Sequence, residues 1–280
     1  MNAQKTSRLH SLLRRLPEGF IADSAWLQKQ GLSRSSIRDY AARGWLEQVA
    51  PRIYRRPLGA TDAPLRWDVV ALSLQGVMGQ TLHVGGRTAL MLAGFVHYLE
   101  PTGPSEIHLY GDAPPWLERL PATARFAVHT SRLFGTSAIG IEGRRYDLRS
   151  GQSSETVSGG ECTAPWDWAL VMATPERAIL EMIDELPNHE TFEHVDAVMQ
   201  GLATLRPRVL GTLLQECRSV KVKRLFLWYA DRHKHAWLKH LSLASVDLGA
   251  GKRQLVPGGR LDPRYQITLP EAMFGDHHAN

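Results

Sequence analysis

Cysteine is almost absent, since the 280 residues include only Cys162 and Cys217. The two stand far apart, and neither belongs to a CxxC pair or to a Cys/His spacing of the kind that binds zinc. This scarcity excludes a disulfide framework and gives no sign of a metal site or a cofactor. We expect both cysteines to be buried as small hydrophobic side chains.

Long hydrophobic runs are missing as well. A signal peptide needs about seven to fifteen consecutive apolar residues, and a membrane helix needs about twenty. The first residues are polar and basic, and no later segment is long and apolar enough. We therefore expect a cytoplasmic protein that does not enter a membrane, and a hydrophobic content of 43% is ordinary for a protein with real cores.

Several catalytic signatures are also absent. Nucleases of the restriction type need a carboxylate two residues before a lysine, and nucleotidyltransferases of the polymerase type normally carry an Asp-x-Asp pair. The sequence contains neither pattern and no GxSxG elbow, and its twelve histidines are scattered. An enzyme is the main rival class of function, and these absences favour a protein that is not an enzyme.

Charge is distributed in blocks. Residues 1–58 carry 11 Lys/Arg and 4 Asp/Glu, residues 59–205 carry 9 and 18, and residues 206–264 carry 13 and 4. Basic ends on either side of an acidic middle suggest contact with a polyanion, because each cation placed on a phosphate releases counterions. For any single block taken alone, a merely solvated surface is the slightly better explanation.

The N-terminal segment predicts three helices. Leucines at helical spacing from Leu9 to Leu16 mark the first, a short second helix starts near Asp23 and stops at Gly31, and Ser33 caps a third that runs to about Ala42. In the third helix Ile37, Tyr40 and Ala41 form one face. Arg34, Ser35 and Arg38 point away from that face, which is the pattern of a recognition helix that enters the major groove.

A basic hairpin follows the third helix. Strands at 45–49 and 53–55 flank a turn at Pro51, and Arg52, Arg55 and Arg56 would place cations on the DNA backbone or in the minor groove. Together these features predict a winged helix-turn-helix domain over residues 1–58 that binds double-stranded DNA. Winged helices also serve as protein-interaction modules, so this second role stays open.

The rest of the chain predicts a larger α+β domain over residues 65–280, beyond a Pro- and Gly-rich linker. Strands at 82–84, 107–110, 125–129 and 139–148 mix with helices without regular alternation, and 152–160 reads as a polar loop. Helices are expected at about 67–74, 89–95, 192–202 and 208–217, and after the Thr174-Pro175-Glu176 start signal, and a hairpin of 254–257 with 265–269 closes the chain.

A second basic patch is predicted near the C-terminus. A helix begins at Ser219, with Val222, Leu225, Phe226 and Tyr229 as its inward face. The patch is expected to lie outside that face and to comprise the following residues: Lys221, Lys223, Arg224, Lys252 and Arg253. A merely solvated face is the alternative.

Five long segments occur in an order that resembles the AbiEi family, the antitoxins of bacterial type IV toxin–antitoxin systems. They are GWLEQVAPRIYRR, HVGGRTALMLAGFVHYL, TPERAILEMIDELP, SVKVKRLFLWYADRHKHAWLKHL and LGAGKRQLVPGGRLDPRYQITLP. The resemblance implies a winged-helix repressor that binds inverted repeats in its own promoter and counteracts AbiEii, a nucleotidyltransferase-like toxin, with a direct complex left open. Carried onto this chain, DNA contact falls on these residues: Arg34, Ser35, Ser36, Arg38, Arg52, Arg55 and Arg56. The alternative is a module that binds the toxin, or its RNA target, through the basic C-terminal patch.

Overall fold

The computed structural model describes residues 3–59, 63–95, 104–157 and 168–275. The chain divides into two compact units, the first made of residues 1–84, 100–129 and 143–171 and the second of residues 85–99, 130–142 and 172–280. Each unit is assembled from separate stretches of the chain. The expected domains 1–58 and 65–280 remain a prediction, and part of the linker between them, residues 60–62, lies outside the described residues.

The N-terminal part of the first unit consists of three helices and a small sheet. Its elements are α1 (Ala3–Arg15), β1 (Ile21–Asp23), α2 (Ser24–Lys29), α3 (Arg34–Ala42), β2 (Glu47–Ala50) and β3 (Ile53–Arg55). β3 lies between β1 and β2 and is antiparallel to both. This is the winged helix-turn-helix that the sequence predicted, with one strand more, because the three residues of β1 are too few to show a periodic pattern.

Local side-chain chemistry explains where the two helices of the motif begin. The Asp23 carboxylate accepts a hydrogen bond of 2.7 Å from the backbone N–H of Trp26 and caps α2. The Ser33 hydroxyl accepts one of 3.1 Å from the N–H of Ser36 and caps α3. Between them Gly31 has a φ of +87°, a backbone conformation that glycine adopts without steric cost, which allows the tight turn between the two helices.

The remainder of the first unit contains a helix and most of a six-stranded sheet. Helix α4 (Trp67–Leu72) continues into a π-helical turn (Ser73–Val77). The strands are β4 (Leu82–Val84), β5 (Glu106–Gly111), β6 (Arg125–His129), β7 (Ile141–Asp147), β8 (Gln152–Thr156) and β9 (Ala169–Ala173). Their order is β6-β5-β4-β9-β7-β8, with β4–β5 and β7–β8 antiparallel and β5–β6 parallel. The mixed sheet with helices confirms the α+β class.

Two parts of this sheet correct the sequence interpretation. Residues 152–156 of the expected polar loop form β8, which pairs with β7, whereas 158–160 lie outside the described residues. β8 stands at an edge of the sheet, where backbone hydrogen bonds hold a strand that needs little apolar surface. β9 was not predicted at all.

The second unit is mainly helical. Its elements are α5 (Gly86–Leu92), α6 (Pro175–Asp184), α7 (Phe192–Gly201), α8 (Pro207–Glu216), α9 (Val220–His233), β10 (Arg253–Gln254), β11 (Arg260–Asp262) and β12 (Ile267–Leu269). The side chains from Val222 to Ala230 are all buried, which makes α9 the central helix of this unit. The expected closing hairpin is corrected in detail: β11 forms the hairpin with β12, while β10 pairs with β12 in parallel.

A buried ion pair connects three segments of the second unit. The Arg177 Nε donates to Glu181 Oε1 at 2.8 Å, and the other Glu181 oxygen accepts the backbone N–H of Gly86 at the start of α5. Arg177 Nη1 also donates to the carbonyl groups of Ser137 and Ile139. The pair therefore satisfies its own polar atoms and fixes α5 and the 137–139 loop against α6.

Cys217 is a free, buried thiol, as expected, and Cys162 lies outside the described residues. Burial raises the pKa of the Cys217 thiol to about 11, so it is a packing residue rather than a nucleophile. No helix within the described ranges is both long enough and apolar enough to cross a bilayer.

Candidate nucleic-acid interface

Helix α3 presents a polar face to solvent. Ile37 and Tyr40 are buried against the rest of the winged helix, while Arg34, Ser35 and Arg38 are exposed. This division follows from the 3.6-residue period, because one buried stripe leaves the opposite stripe outside. The outer stripe therefore offers exposed hydrogen-bonding side chains, the chemistry that a helix needs to read base edges in the major groove.

The first turn of α3 is organised by its serines. The Ser33 hydroxyl lies 2.8 Å from Ser35 Oγ and 2.9 Å from Ser36 Oγ, in addition to its cap bond. Ser36 is half-buried and Ser35 is exposed. Ser35 is therefore the better placed of the two to reach a base or a phosphate, whereas Ser36 contributes mainly to the start of the helix.

Arg52 occupies the tip of the wing. Its side chain is exposed, its φ is +66°, and its carbonyl oxygen accepts the N–H of Ser24 at 2.8 Å. The left-handed backbone makes the tight turn between β2 and β3, and the hydrogen bond ties that turn to the start of α2. The structure thus carries an exposed cation in the turn that joins the two strands of the hairpin.

The predictions for Arg55 and Arg56 require correction. Arg55 is 4% exposed and makes a bidentate ion pair with Glu47, with Nη2–Oε2 2.7 Å and Nε–Oε2 2.9 Å, while its Nη1 donates to the carbonyl oxygen of Ala63. The cause is strand register, because Arg55 and Glu47 are direct cross-strand partners. These contacts leave Arg55 inside the fold rather than on a phosphate.

Arg56 is likewise committed to the protein. Its Nη1 donates to the carbonyl oxygens of Leu13 and Leu16 at the end of α1, at 2.7 and 3.1 Å, and its Nη2 pairs with Glu18 at 2.9 Å. Cations near a helix C-terminus stabilise the last carbonyl groups. Arg56 therefore holds α1 against the wing, and the two neighbouring arginines that looked like DNA contacts are structural.

The second basic patch does not form as predicted. Lys223 and Arg224 are buried, at 5% and 4% exposure, because α9 is enclosed on all sides and has no solvent-facing stripe where they lie. Lys221 donates to the carbonyl oxygens of Asp184 and Leu186 and is half-buried. The prediction assumed that α9 buries one face and exposes the other, but a helix in the centre of a domain is buried on all faces.

Arg224 supports the loop that carries the other two basic residues. Its guanidinium donates to four carbonyl oxygens, those of Leu248, Gly249, Gly251 and Gln266, at 2.7 to 3.2 Å. Lys252 and Arg253 lie in that loop and on β10, and both are exposed. Of the five residues predicted for the patch, these two remain available to a partner.

One basic residue near α3 escaped the sequence interpretation. Arg43 is the C-terminal cap residue of α3, and its guanidinium lies 5.7 Å from the ring centroid of Trp45. The sequence feature that could have revealed it is Arg-Gly-Trp at the end of the helix, because a cation close to an aromatic ring is attracted to the face of that ring.

The described residues include no group of three or more His, Cys, Asp or Glu side chains arranged to hold a metal ion.

Comparison with known proteins places this architecture in a family. The family profile described as transcriptional regulator, AbiEi antitoxin, type IV TA system matches residues 104–270, and the profile of the AbiEi antitoxin N-terminal domain matches residues 5–101. The chain belongs to the AbiEi antitoxin family. The N-terminal match covers the winged helix from residue 5 onward and includes the whole of α3.

A solved structure shares the fold of this AbiEi antitoxin. The crystal structure of RV2827C protein from Mycobacterium tuberculosis aligns over 95% of this chain and 92% of that one, with a TM-score of 0.55 and 16% sequence identity. At this identity the likeness concerns the fold alone. A search among curated proteins finds no match.

Proposed function

We propose that this protein is a DNA-binding autorepressor and antitoxin. In this proposal it binds inverted repeats in its own promoter, represses its operon and counteracts a nucleotidyltransferase toxin of the AbiEii kind, without being an enzyme itself. Because such a repressor acts on the bacterial chromosome, we expect it to work in the cytoplasm. Family membership supports the regulatory role, and the surface of α3 supports DNA as the ligand.

The observation that carries the proposal is the exposed polar stripe of α3, in a winged helix whose turn between β2 and β3 also carries the exposed Arg52. A recognition helix needs one buried stripe that anchors it and one stripe of hydrogen-bonding side chains, and α3 has both. Arg34 and Arg38 lie four residues apart, so they project from the same side of the helix. Arginine commonly pairs with guanine through two hydrogen bonds, and each such pair contributes about 1–3 kcal/mol of discrimination.

The wing has a different task in this proposal. A cation at a wing tip meets phosphate groups or the minor groove and carries little sequence information. With Arg55 and Arg56 held by Glu47, Glu18 and backbone carbonyl groups, the wing contributes Arg52 as its exposed arginine. We therefore expect a smaller electrostatic contribution from the wing than its three arginines suggest.

A salt-dependent gel shift on the upstream promoter tests the proposal. The intact protein should bind promoter DNA more tightly than a scrambled duplex of equal length, and Arg38→Ala should weaken this binding and relax the preference at one base pair, at a cost of about 1–3 kcal/mol. Arg119→Ala is the matched control, because Arg119 is also exposed but lies outside the winged helix. Equal binding to both duplexes, or equal effects of the two substitutions, would contradict DNA recognition by α3.

The alternative function, contact with the toxin or its RNA target through the C-terminal basic patch, now depends on Lys252 and Arg253. Both are exposed beside the small sheet of the second unit. Substituting both with alanine should leave promoter binding intact if they serve such a partner, while rescue from the toxin in cells is lost. Loss of promoter binding in that variant would instead assign the two residues to DNA.

A further inference from the structure

A cavity of about 800 Å³ lies in the first unit, beside the helix-turn-helix motif. All of its lining residues belong to that unit, and they include residues at the end of α1, in α2 and in the π-helical turn, together with Trp168 just before β9. Sites for small molecules commonly have volumes of roughly 300–1,000 Å³. The volume of this cavity falls within that range, so it can hold a small ligand of about ten to twenty non-hydrogen atoms.

The walls of this cavity are aromatic. Phe20 is buried beneath it, and the rings of Phe20 and Trp168 meet edge to face with centroids 5.0 Å apart. Trp26, on α2, is half-buried and also lines the cavity. Half-buried tryptophan faces in a concave site offer stacking surface to a planar group.

A glycine and a π-helical turn shape the floor. A Cβ atom at Gly76 would lie 2.8 Å from the Trp168 ring, so the ring occupies the space that the glycine leaves open. The Gln75 side-chain amide hydrogen-bonds both the N–H and the carbonyl group of Val171, each at 2.9 Å, which holds the strand that follows Trp168. Single π-helical turns of this kind are rare and frequently occur at functional sites.

The rim of the cavity is basic. Arg14 and Arg15 are exposed there, and the Arg15 guanidinium donates to the Gln30 side chain. Arg56 and Glu18 also line the cavity, but they pair with each other. Three arginines against one glutamate give the lining a net charge of +2. An anionic group is therefore favoured at the mouth.

We infer that this cavity binds a small aromatic carboxylate, with its ring between Trp26 and Trp168 and its carboxylate at Arg14 and Arg15. Aromatic walls select the ring, and guanidinium groups bind carboxylates through paired hydrogen bonds. Trp26 lies on α2, the first helix of the helix-turn-helix, so a bound ligand would contact this motif directly. The binding itself is independent of whether α3 recognises a promoter.

Calorimetric titration of the full-length protein with indole-3-acetate tests this inference. A ligand of this size in a fitting site should bind with a dissociation constant of about 1 mM or tighter. Indole-3-acetamide, which has the ring without the charge, should bind about fivefold to tenfold more weakly. Cyclohexaneacetate, which has the charge without the aromatic ring, should also bind more weakly, by about fivefold.

Variants distinguish this cavity from adventitious binding. Gly76→Ala must displace the Trp168 ring and should weaken indole-3-acetate binding at least about tenfold, whereas Gly211→Ala, where the nearest atom is 3.8 Å from the new Cβ, should not change it. The Arg14→Ala/Arg15→Ala double variant changes exposed residues only and should abolish the preference for the carboxylate. The inference would be overturned if the wild-type protein showed no saturable binding or bound the three probes equally. It would also be overturned if neither Gly76→Ala nor the Arg14→Ala/Arg15→Ala double variant changed the affinity for indole-3-acetate.

Discussion

Replacing Arg224 tests whether this residue stabilises the fold or binds nucleic acid. A surface arginine that touches phosphate can be removed with a stability change within about 0.5 kcal/mol, and its loss weakens nucleic-acid binding. Arg224 is instead buried in the second unit, with its guanidinium shared among four carbonyl oxygens of residues 248–266. Arg224→Met, which keeps the length of the side chain, should therefore lower the free energy of unfolding without altering DNA affinity.

The magnitude follows from the environment of those carbonyl groups. Hydrogen bonds from a charged donor contribute about 1.5–3 kcal/mol each, and breaking a buried charged network costs about 3–5 kcal/mol in total, since the contributions are not additive. Gly249 and Gly251 are exposed, so water can replace the lost donor there, whereas Leu248 and Gln266 are half-buried. We expect the lower end of the range, about 3 kcal/mol, which corresponds to a melting midpoint lower by about 6–12 °C.

Thermal and urea unfolding measure this change, and Arg253→Ala provides the matched control because Arg253 is exposed on the same small sheet. The control should shift the midpoint by less than about 2 °C. A loss below about 1 kcal/mol for Arg224→Met, accompanied by weaker binding to DNA, would refute the assignment of Arg224 to the interior.

Two further predictions concern the wing and an ion pair. Arg52→Gly, which suits the φ of +66°, should change the free energy of unfolding by less than about 0.5 kcal/mol and reduce the salt slope of DNA binding by about 0.9. Arg55→Ala should destabilise the fold by about 2–3 kcal/mol and leave the salt slope unchanged. Thermal melts and salt-dependent gel shifts of both variants test this, and the same behaviour in both would contradict it. Burial opposes ionisation of Glu176, but hydrogen bonds from Arg206 outweigh it and hold the carboxyl pKa below its usual 4.5. The stabilisation by this carboxylate is therefore fully present at neutral pH and is lost as the pH falls below 4.5 and through the folded-state pKa. Glu176→Gln should cost about 1–2 kcal/mol at pH 7, and the cost should shrink as the pH is lowered through the acid range. A difference in melting midpoint that stays constant throughout acidification would contradict the pairing.

The winged helix could be predicted almost completely from local signals. Asp23 and Ser33 are caps whose hydrogen bonds form within three residues, Gly31 meets a local need for positive φ, and Ile37 with Tyr40 marks the buried stripe. Such features depend on neighbours in sequence, so they can be read without knowing the fold. Strand β1 was missed because its partner, β3, lies some thirty residues away and supplies its hydrogen bonds.

The arginines show where local reasoning stops. A basic residue is exposed by default, and sequence periodicity identifies one buried stripe per helix. Lys223 and Arg224 are buried although they are basic, because α9 is surrounded by other elements of its unit. Arg55 is buried because Glu47 is its cross-strand partner. Whether a charge meets solvent or a buried partner depends on contacts between segments distant in sequence.

Sequence alone therefore determined the fold class, the helix α3 with Arg34, Ser35 and Arg38 on its outer side, and the family, because capping, periodicity and long ordered segments are properties of the chain itself. Only the tertiary structure decided which cations are available, separating the exposed Arg52 from Arg55, which is buried and paired with Glu47, and from Arg56, which is half-buried and paired with Glu18. It also brought Phe20, Trp26 and Trp168 around one cavity. The physical reason is that electrostatic pairing and cavity shape depend on distances in space that spacing along the chain does not encode.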